Sequence, residues 1–438
     1  MSTIAAIATG PAAGGIGIIR LSGPASVAAA RRVAQALPAV LTARHAYFTR
    51  FTDASGAVLD EGLALSFPAP NSVTGEDVVE LHAHGAPRLL SLLLAEVLRE
   101  PSVRLATPGE FTRRAFLSGQ LDLSRAEAVA DLVAAESEAQ VRAAAAQLTG
   151  ELTSRLEAVH APMLSLQADL EGSLDFPEEA EGAEHEVAAR LDASLVAVRA
   201  LLADARRGAL IRRGARVVLY GPVNAGKSTL FNALAGAARA LVDEEPGTTR
   251  DTLEARLELS GLAVTLIDTA GLREAAGRLE ALGIGRTREA LAGADVAVLV
   301  LPPDTTADQR SAWRSECDDA RRVEVWGKAD LPLIKTGPSD VAVSGLTGLG
   351  LPELHALLAS RLGAGDASAV LATSERHLVA LEQLEAALSR ARDAFDVSTI
   401  EVVAGELSVA LHLLSDLTGE DASTALLDSI FARFCIGK

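Results

Sequence analysis

The run Arg216-Val217-Val218-Leu219-Tyr220 leads into Gly221-Pro222-Val223-Asn224-Ala225-Gly226-Lys227-Ser228, and Thr229 to Leu234 follows it. The first five residues read as a short apolar strand. The next eight match the phosphate-binding loop pattern, and the last six begin a helix predicted to stop at Gly236. A glycine-framed loop at a helix N-terminus turns backbone N–H groups toward phosphate oxygens. A lysine at the seventh place reaches the β- and γ-phosphates, and the hydroxyl after it binds magnesium. Asn224, Ala225, Gly226, Lys227, Ser228 and Thr229 are therefore candidate nucleotide contacts. A glycine-rich turn arising by chance would lack the strand before and the helix after.

Two further elements occur in the order such a site requires. Pro246-Gly247-Thr248-Thr249-Arg250-Asp251 is a loop in which Thr249 can complete the magnesium shell. Leu253, Ala255, Leu257 and Leu259 then alternate with Glu254, Arg256 and Glu258, the period of a half-buried strand. Val264 to Ile267 is the next strand. It delivers Asp268-Thr269-Ala270-Gly271, with Asp268 near magnesium and the Gly271 amide facing the γ-phosphate. Leu272 stands where many GTPases carry a water-orienting glutamine, so another group must act. Glu274 and Glu280 are the acidic residues just downstream, and no arginine identifies itself as an internal finger.

Base selection is read from Gly327-Lys328-Ala329-Asp330, after the strand Val323 to Trp326, where guanine-specific proteins usually show Asn-Lys-x-Asp. Asp330 can accept from the N1–H and exocyclic amine of guanine, groups that adenine does not present. The absent asparagine removes one hydrogen-bonding side chain, a loss of about 1 kcal/mol. Ser344-Gly345-Leu346 replaces the commoner Ser-Ala-Lys, but a backbone N–H from this loop can still face guanine O6. GTP is expected over ATP, at reduced affinity.

A chain of 438 residues is too long for one core. Residues 1–116 alternate apolar runs with Gly/Pro punctuation and read as a small α/β domain. Ile16 to Leu21 and Leu63 to Phe67 are predicted strands, and Ala86 to Arg99 has helical leucine spacing. Leu117 to Gly208 is rich in Ala, Leu, Glu and Arg and reads as amphipathic helix. The α/β texture runs from Gly214 to about Gly365. Helical spacing then returns at Leu378, Leu381, Leu384 and Leu388, and at Val403, Leu407, Leu411 and Leu414. The economical reading is one helical domain interrupted by an inserted α/β domain. The limits are placed at 1–116, 117–212, 213–367 and 368–438.

Fifty-eight acidic against 40 basic residues give a net charge of −18, so any RNA must be held by local basic patches. Cys317 and Cys435 make neither a disulfide framework nor a zinc spacing, which suits a reducing cytoplasm. Thr3 to Ile19 has no basic segment before it and is broken at Gly10-Pro11 and Gly14-Gly15, so it is not read as a signal peptide. No run is long enough to span a membrane, and Gly437-Lys438 after Cys435 does not fit a prenylation box.

With these residues assembled, the chain resembles the tRNA-modification GTPase family MnmE/TrmE from end to end. The match includes Thr3-Ile4-Ala5-Ala6-Ile7-Ala8-Thr9, Gly14-Gly15-Ile16-Gly17-Ile18-Ile19-Arg20, Pro70-Asn71-Ser72-Val73-Thr74-Gly75-Glu76-Asp77, Pro108-Gly109-Glu110-Phe111-Thr112, Lys227-Ser228-Thr229-Leu230, Gly247-Thr248-Thr249-Arg250-Asp251 and Phe434-Cys435-Ile436-Gly437-Lys438. The resemblance implies a multidomain α/β plus all-α fold: an N-terminal folate-binding α/β domain that also forms a homodimer, a discontinuous helical domain and an inserted Ras-like P-loop GTPase domain. It implies a flavoprotein partner, MnmG/GidA, which carries the FAD. Together they would add an aminomethyl or carboxymethylaminomethyl group at C5 of the wobble uridine of certain tRNAs.

Carried over to this sequence, the resemblance places Asp243, Glu244, Glu245, Pro246, Gly247 and Thr248 against the nucleotide. It assigns potassium to Asn224, to Asp243 and Glu245 largely through their backbone carbonyls, and to Thr248 as a further ligand. A monovalent cation there would do the work of an arginine finger. Glu280 matches the glutamate that positions the hydrolytic water, and Arg20, Glu80 and Lys438 match contacts to a 5-formyltetrahydrofolate-type ligand. Gln120 stands where a folate-contacting lysine is expected, keeping a donor without the charge.

Other features have plainer readings. His82 and His84 have no third ligand at fitting spacing and are taken as structural or substrate-edge residues. The stretch Gly10 to Gly17 lacks the full dinucleotide fingerprint and reads as a tight turn. Arg31-Arg32 and Arg113-Arg114 are basic pairs that could touch RNA but usually mark solvated surface. Cys435, near Phe431 and Phe434, is placed in a buried helix as a packing or site-lining residue. The GTPase core alone fits either an enzyme of wobble-uridine modification or a regulatory switch on an assembling ribosome. Folate-dependent one-carbon transfer by this chain alone ranks last.

Overall fold

A computed structural model describes residues 2–175, 184–237, 239–240, 254–269, 287–331, 341–364, 374–419 and 423–437. The chain divides into two compact units: Met1–Ala130 with Leu148–Thr153 and Leu411–Lys438, and Asp131–Gln147 with Ser154–Ala410.

In the first unit, β1 (Thr3–Ile7), β2 (Gly14–Ser22), β3 (Tyr47–Thr52), β4 (Val58–Phe67), β5 (Val78–Gly85) and β6 (Val103–Leu105) form a sheet in the order β3-β4-β5-β2-β1-β6. All neighbours are antiparallel except β1 and β6. The two strands expected from periodicity are present with longer limits. Alternation assigns one face to the core: Phe51, Ala64, Leu81 and Ala83 meet Ala29, Ala30 and Val33 of α1 (Ser26–Val33) and Leu90, Leu93 and Val97 of α2 (Pro87–Val97). The opposite face carries Arg20, Glu80 and His82. Helix α3 (Glu110–Leu117) follows.

The helical texture becomes α4 (Leu123–Ala134), α5 (Glu138–Leu148), α6 (Glu151–Asp175) and α7 (Glu184–Arg213). A seven-stranded sheet of the second unit then begins at Ala215. Its strands are β7 (Ala215–Tyr220), β8 (Arg239–Ala240), β9 (Glu254–Leu259), β10 (Leu262–Asp268), β11 (Val296–Leu301), β12 (Arg322–Trp326) and β13 (Val341–Ala342), in the order β13-β12-β11-β7-β10-β9-β8. The pairs of β7 with β10 and β11, of β11 with β12 and of β12 with β13 are parallel, while β8, β9 and β10 pair antiparallel. The parallel strands are buried on both faces, so they read as continuous apolar runs such as Val296 to Leu301. Helices α8 (Lys227–Ala237), α9 (Ala307–Arg314) and α10 (Leu351–Arg361) belong to this segment. Helix α8 ends at Ala237, one residue past the expected stop at Gly236, and Leu230 and Leu234 anchor it in the sheet core.

The chain ends with α11 (Glu375–Val397), α12 (Ile400–Thr418) and α13 (Thr424–Phe431). Leu381, Leu384 and Leu388 of α11, and Val403, Leu407 and Leu414 of α12, are buried as their spacing predicts, while Leu378 and Leu411 are half-buried. Helix α7, before the sheet, packs along α11, after it. Arg199–Glu385, Arg206–Glu382 and Arg392–Asp192 ion pairs at 2.8, 3.2 and 3.0 Å border that contact. Within the first unit α13 closes a small core of Leu123, Ala126, Leu427, Phe431 and Phe434.

The β9–β10 hairpin is fastened to α5 within the second unit. Its turn residues Ser260 and Gly261 both have positive φ, the conformation of a two-residue I′ turn. The Gly261 carbonyl accepts the Ala139 amide at 3.1 Å, and Arg256 pairs with Glu136 at 2.8 Å. Among the described residues no helix is long and apolar enough to cross a membrane.

Candidate functional site

The carboxyl ends of β7, β10 and β12 lie along one edge of the parallel sheet, where α/β folds bind ligands. β7 runs into Gly221. That residue has φ of +135°, and any side chain on it would overlap the Val300 carbonyl, so glycine is the residue the turn accepts. Asn224 takes a left-handed φ of +63°, which asparagine tolerates better than most residues, and Gly226 follows at +96°. These turns lay the loop over the N-terminus of α8, whose first residues are Lys227 and Ser228.

Lys227 is 6% exposed, and its Nζ donates to the Gly221 and Pro222 carbonyls at 3.0 and 2.8 Å. The ammonium is thus folded over its own loop, at the place where phosphate oxygens would replace carbonyls. Asp268 ends β10 opposite Leu219 and is 4% exposed, and the Thr269 hydroxyl donates to the Leu219 carbonyl at 2.9 Å. One hydroxyl, Ser228, and one carboxylate, Asp268, beside a phosphate loop make a donor set that suits magnesium, a hard ion that also keeps water and phosphate oxygens.

The segments expected to recognise the base follow β12 and β13. Lys328 has φ of +59°, and its Cγ is the nearest side-chain atom to a Cβ built on Gly226, so its aliphatic stem lies along the phosphate loop. The Ser344 hydroxyl, fully buried, donates to Asp330 Oδ1 at 2.6 Å. That bond, with Asp330's own amide and the Lys328 charge, holds the Asp330 carboxyl below its ordinary value. A cleft of about 250 Å³ opens here, lined by Gly226, Thr229, Lys328, Asp330, Ser344 and Gly345. Leu230, Val300, Val343 and Leu346 also line it, and the sequence assigns none of them a contact with the nucleotide. Their signal was only the apolar end of a buried strand and a loop leucine.

The structure therefore brings Asn224, Ala225, Gly226, Lys227, Ser228, Thr229, Asp268, Thr269, Lys328, Asp330, Ser344 and Gly345 to one edge of one sheet. Asp243, Glu244, Glu245, Pro246, Gly247, Thr248, Thr249, Ala270, Gly271, Glu274 and Glu280 lie outside the described residues.

On the first unit, Arg20 and Glu80 are register partners of β2 and β5 and form an ion pair at 2.9 Å. His82 Nε2 meets the other Glu80 oxygen at 3.1 Å, so the histidine is a partner of that carboxylate. His84 similarly meets Asp60 at 2.8 Å, and the described residues contain no cluster of three or more metal-ligating side chains. Gln120 donates to the Pro70 carbonyl at 3.3 Å. Gly437 packs against the Ile7 carbonyl, one register step from the Ala6–Arg20 pair, while Lys438 is outside the described residues.

Two expectations are corrected. Cys435 is exposed and follows the end of α13 rather than lying within a buried helix, since Phe431 and Phe434 take the interior positions. The pair Arg113-Arg114 is not a free basic patch. Arg114 is 7% exposed and paired with Glu76 and Glu110, and Arg113 with Asp428. Arg31 donates to the Leu37 carbonyl and Arg32 faces Glu100 at 3.8 Å.

Comparison with known proteins adds to this geometry. Residues 123–435 match the MnmE helical domain, and residues 3–120 match the GTP-binding protein TrmE N-terminus. A tRNA modification GTPase MnmE of Myxococcus xanthus is 58% identical over 437 residues, covering 100% of this chain and 99% of that protein. The tRNA modification GTPases MnmE of Xanthomonas campestris pv. campestris and Alkalilimnicola ehrlichii are 44% and 42% identical over 450 residues, with the same coverage.

Proposed function

The chain belongs to the MnmE/TrmE family of tRNA-modification GTPases, and from that premise we propose that its GTP hydrolysis depends on potassium and serves, with a flavoprotein partner of the MnmG/GidA kind, to install the (carboxymethyl)aminomethyl group at C5 of the wobble uridine. The observation that carries the reading is a phosphate loop and an Asp330–Ser344 base clamp meeting around one cleft. The domain limits at 1–116, 117–212, 213–367 and 368–438 are part of the same proposal, as are the homodimer and the cytoplasmic location.

In this reading the loop amides and Lys227 take the β- and γ-phosphates, and Asp330 takes the base. Ser228, Thr249 and Asp268 hold magnesium, which supplies positive charge at the transferring phosphoryl group. Asn224, Asp243, Glu245 and Thr248 hold potassium, in the absence of an evident arginine finger. Glu280 orients the attacking water. The water oxygen forms a bond to the γ-phosphorus as the bond to the β–γ bridging oxygen breaks, and the bridging oxygen leaves on GDP. On the first unit Arg20, Glu80, Gln120 and Lys438 take a formyltetrahydrofolate-type ligand. The arginine and lysine match its carboxylates, and Glu80 fixes Arg20.

Deleting the gene and measuring nucleosides of total tRNA by mass spectrometry tests the function. Retention of the modified uridine would leave the regulatory-switch reading. Exchanging potassium for sodium should slow turnover sharply, and equal rates would remove potassium from the mechanism. Glu280→Ala should lower kcat far more than GTP affinity, and an unchanged rate would redirect attention to Glu274.

A further inference from the structure

Both departures from the commoner guanine-recognition motifs, Gly327 for asparagine and Gly345 for alanine, fall where the base loops touch the phosphate loop or the first turn of its helix. A Cβ built on Gly327 would overlap the Ala225 carbonyl oxygen and stand 3.1 Å from Val300 Cγ1. A Cβ on Gly345 would stand 2.6 Å from the Thr229 carbonyl oxygen and 2.8 Å from the Leu230 amide nitrogen. Ala225 is in the phosphate loop, and Thr229 and Leu230 are in the first turn of α8. Neither glycine has the left-handed backbone that would by itself demand glycine. What each position lacks is room, and the atoms in the way are backbone, which cannot swing aside as a side chain does.

We propose that Gly327 and Gly345 together set the spacing between the base-recognition loops and the phosphate loop, so that this chain closes its guanine-nucleotide pocket by direct backbone contact where other GTPases interpose side chains. The inference rests on the guanine-nucleotide reading above and adds what determines affinity at that site. The two positions sit on successive loops yet approach consecutive parts of one element, and the two missing side chains have one geometric effect. A nucleotide spans that element, with its base on Asp330 and its phosphates on Lys227. A Cβ at Gly345 would have to retreat from 2.6 Å to the 3.4 Å of ordinary packing, pushing its loop away from the first turn of α8 beneath the phosphates, and a ligand of fixed length would lose contacts at one end. Restoring the commoner residues should therefore weaken binding, although an added asparagine would ordinarily be expected to strengthen it.

The test uses the full chain with magnesium and potassium, measuring GDP binding by calorimetry and GTP turnover at saturation. Gly327→Asn and Gly345→Ala are each expected to raise the GDP Kd and the GTP KM about tenfold or more, with kcat within about twofold. A merely destabilised protein would instead lose kcat through its shrinking folded fraction. Either variant binding GDP as tightly as the unaltered chain, or more tightly, overturns the spacing role. An unaltered chain that binds no guanine nucleotide overturns the guanine reading itself, a distinguishable failure. If a variant does not fold, a crystal structure of the unaltered chain with GDP decides. Contacts that would leave a Cβ at both glycines inside 3.0 Å of backbone support the inference, and clearance of 3.4 Å at both overturns it.

Discussion

Ser344 holds Asp330: its hydroxyl donates to Oδ1 at 2.6 Å, while the amides of Leu346 and Thr347 donate to that same hydroxyl oxygen at 3.3 and 3.2 Å. The serine is locked by its own loop, so the carboxylate is aimed before any base arrives. Ser344→Ala is expected to weaken GDP binding about tenfold, the worth of one hydrogen bond to a charged group. It should also change the pH profile. Asp330 is held below its ordinary value chiefly by Ser344, so its ionised form persists to lower pH. Without Ser344 the loss of binding on acidification should begin at higher pH. Titration with fluorescent GDP would show this, and superimposable profiles would sink the clamp.

Lys227 donates to the Gly221 and Pro222 carbonyls, which in the proposed function it exchanges for phosphate. Lys227→Ala is expected to reduce GTP affinity about a hundredfold, from lost charge-assisted hydrogen bonds. Equilibrium binding measures it; a loss under threefold would mean that this lysine does not reach the phosphates.

The Ala139 amide is one of the orphan donors of the first turn of α5, and the Gly261 carbonyl at the hairpin tip satisfies it. Ala139→Pro deletes that single donor at a helical position where proline is tolerated. A loss of about 1 kcal/mol in stability of the second unit is expected, read by urea unfolding. No change would show that water serves the amide equally well.

Glu110 is held at about pH 2. Burial would raise it, but hydrogen bonds from Arg104, the Thr107 amide and Arg114 outweigh that. A carboxyl depressed on folding contributes stability that is fully present above its unfolded value, near 4.5, and is lost as pH falls toward 2. Glu110→Gln should cost about 2 kcal/mol at pH 7, and its deficit against the unaltered chain should shrink on acidification through that window. A deficit independent of pH between 7 and 2.5, measured at these roughly spaced points by thermal unfolding, would assign the loss to shape rather than charge.

Much of this was legible in the residues because the signals were local. The loop from Gly221 to Ser228 fixes its own strand and helix, and Glu254 to Leu259 alternates cleanly enough to give its inner face. Gly236 likewise marks the end of α8 to within one residue, because glycine is a local signal of a helix terminus. Arg113-Arg114 misled because the partners of the pair lie at 76, 110 and 428, distances over which sequence pattern is silent. The proximity of Gly327 to Ala225 was equally invisible. It joins residues a hundred positions apart through the spacing of β11 and β12, which no motif encodes.

The pairing of α7 with α11 bears on how the polypeptide is born. Asp192 and Arg392 meet across 200 residues, with an entire sheet translated between them. Polymerisation at roughly 5–20 residues per second puts on the order of ten to forty seconds between the emergence of one helix and the other. Through that interval α7, whose Leu191, Val198 and Leu202 are interior in the finished protein, lacks its partner helix. The sheet between them is thus synthesised before α7 can meet α11, and that helix pair closes only after the whole inserted segment has been made.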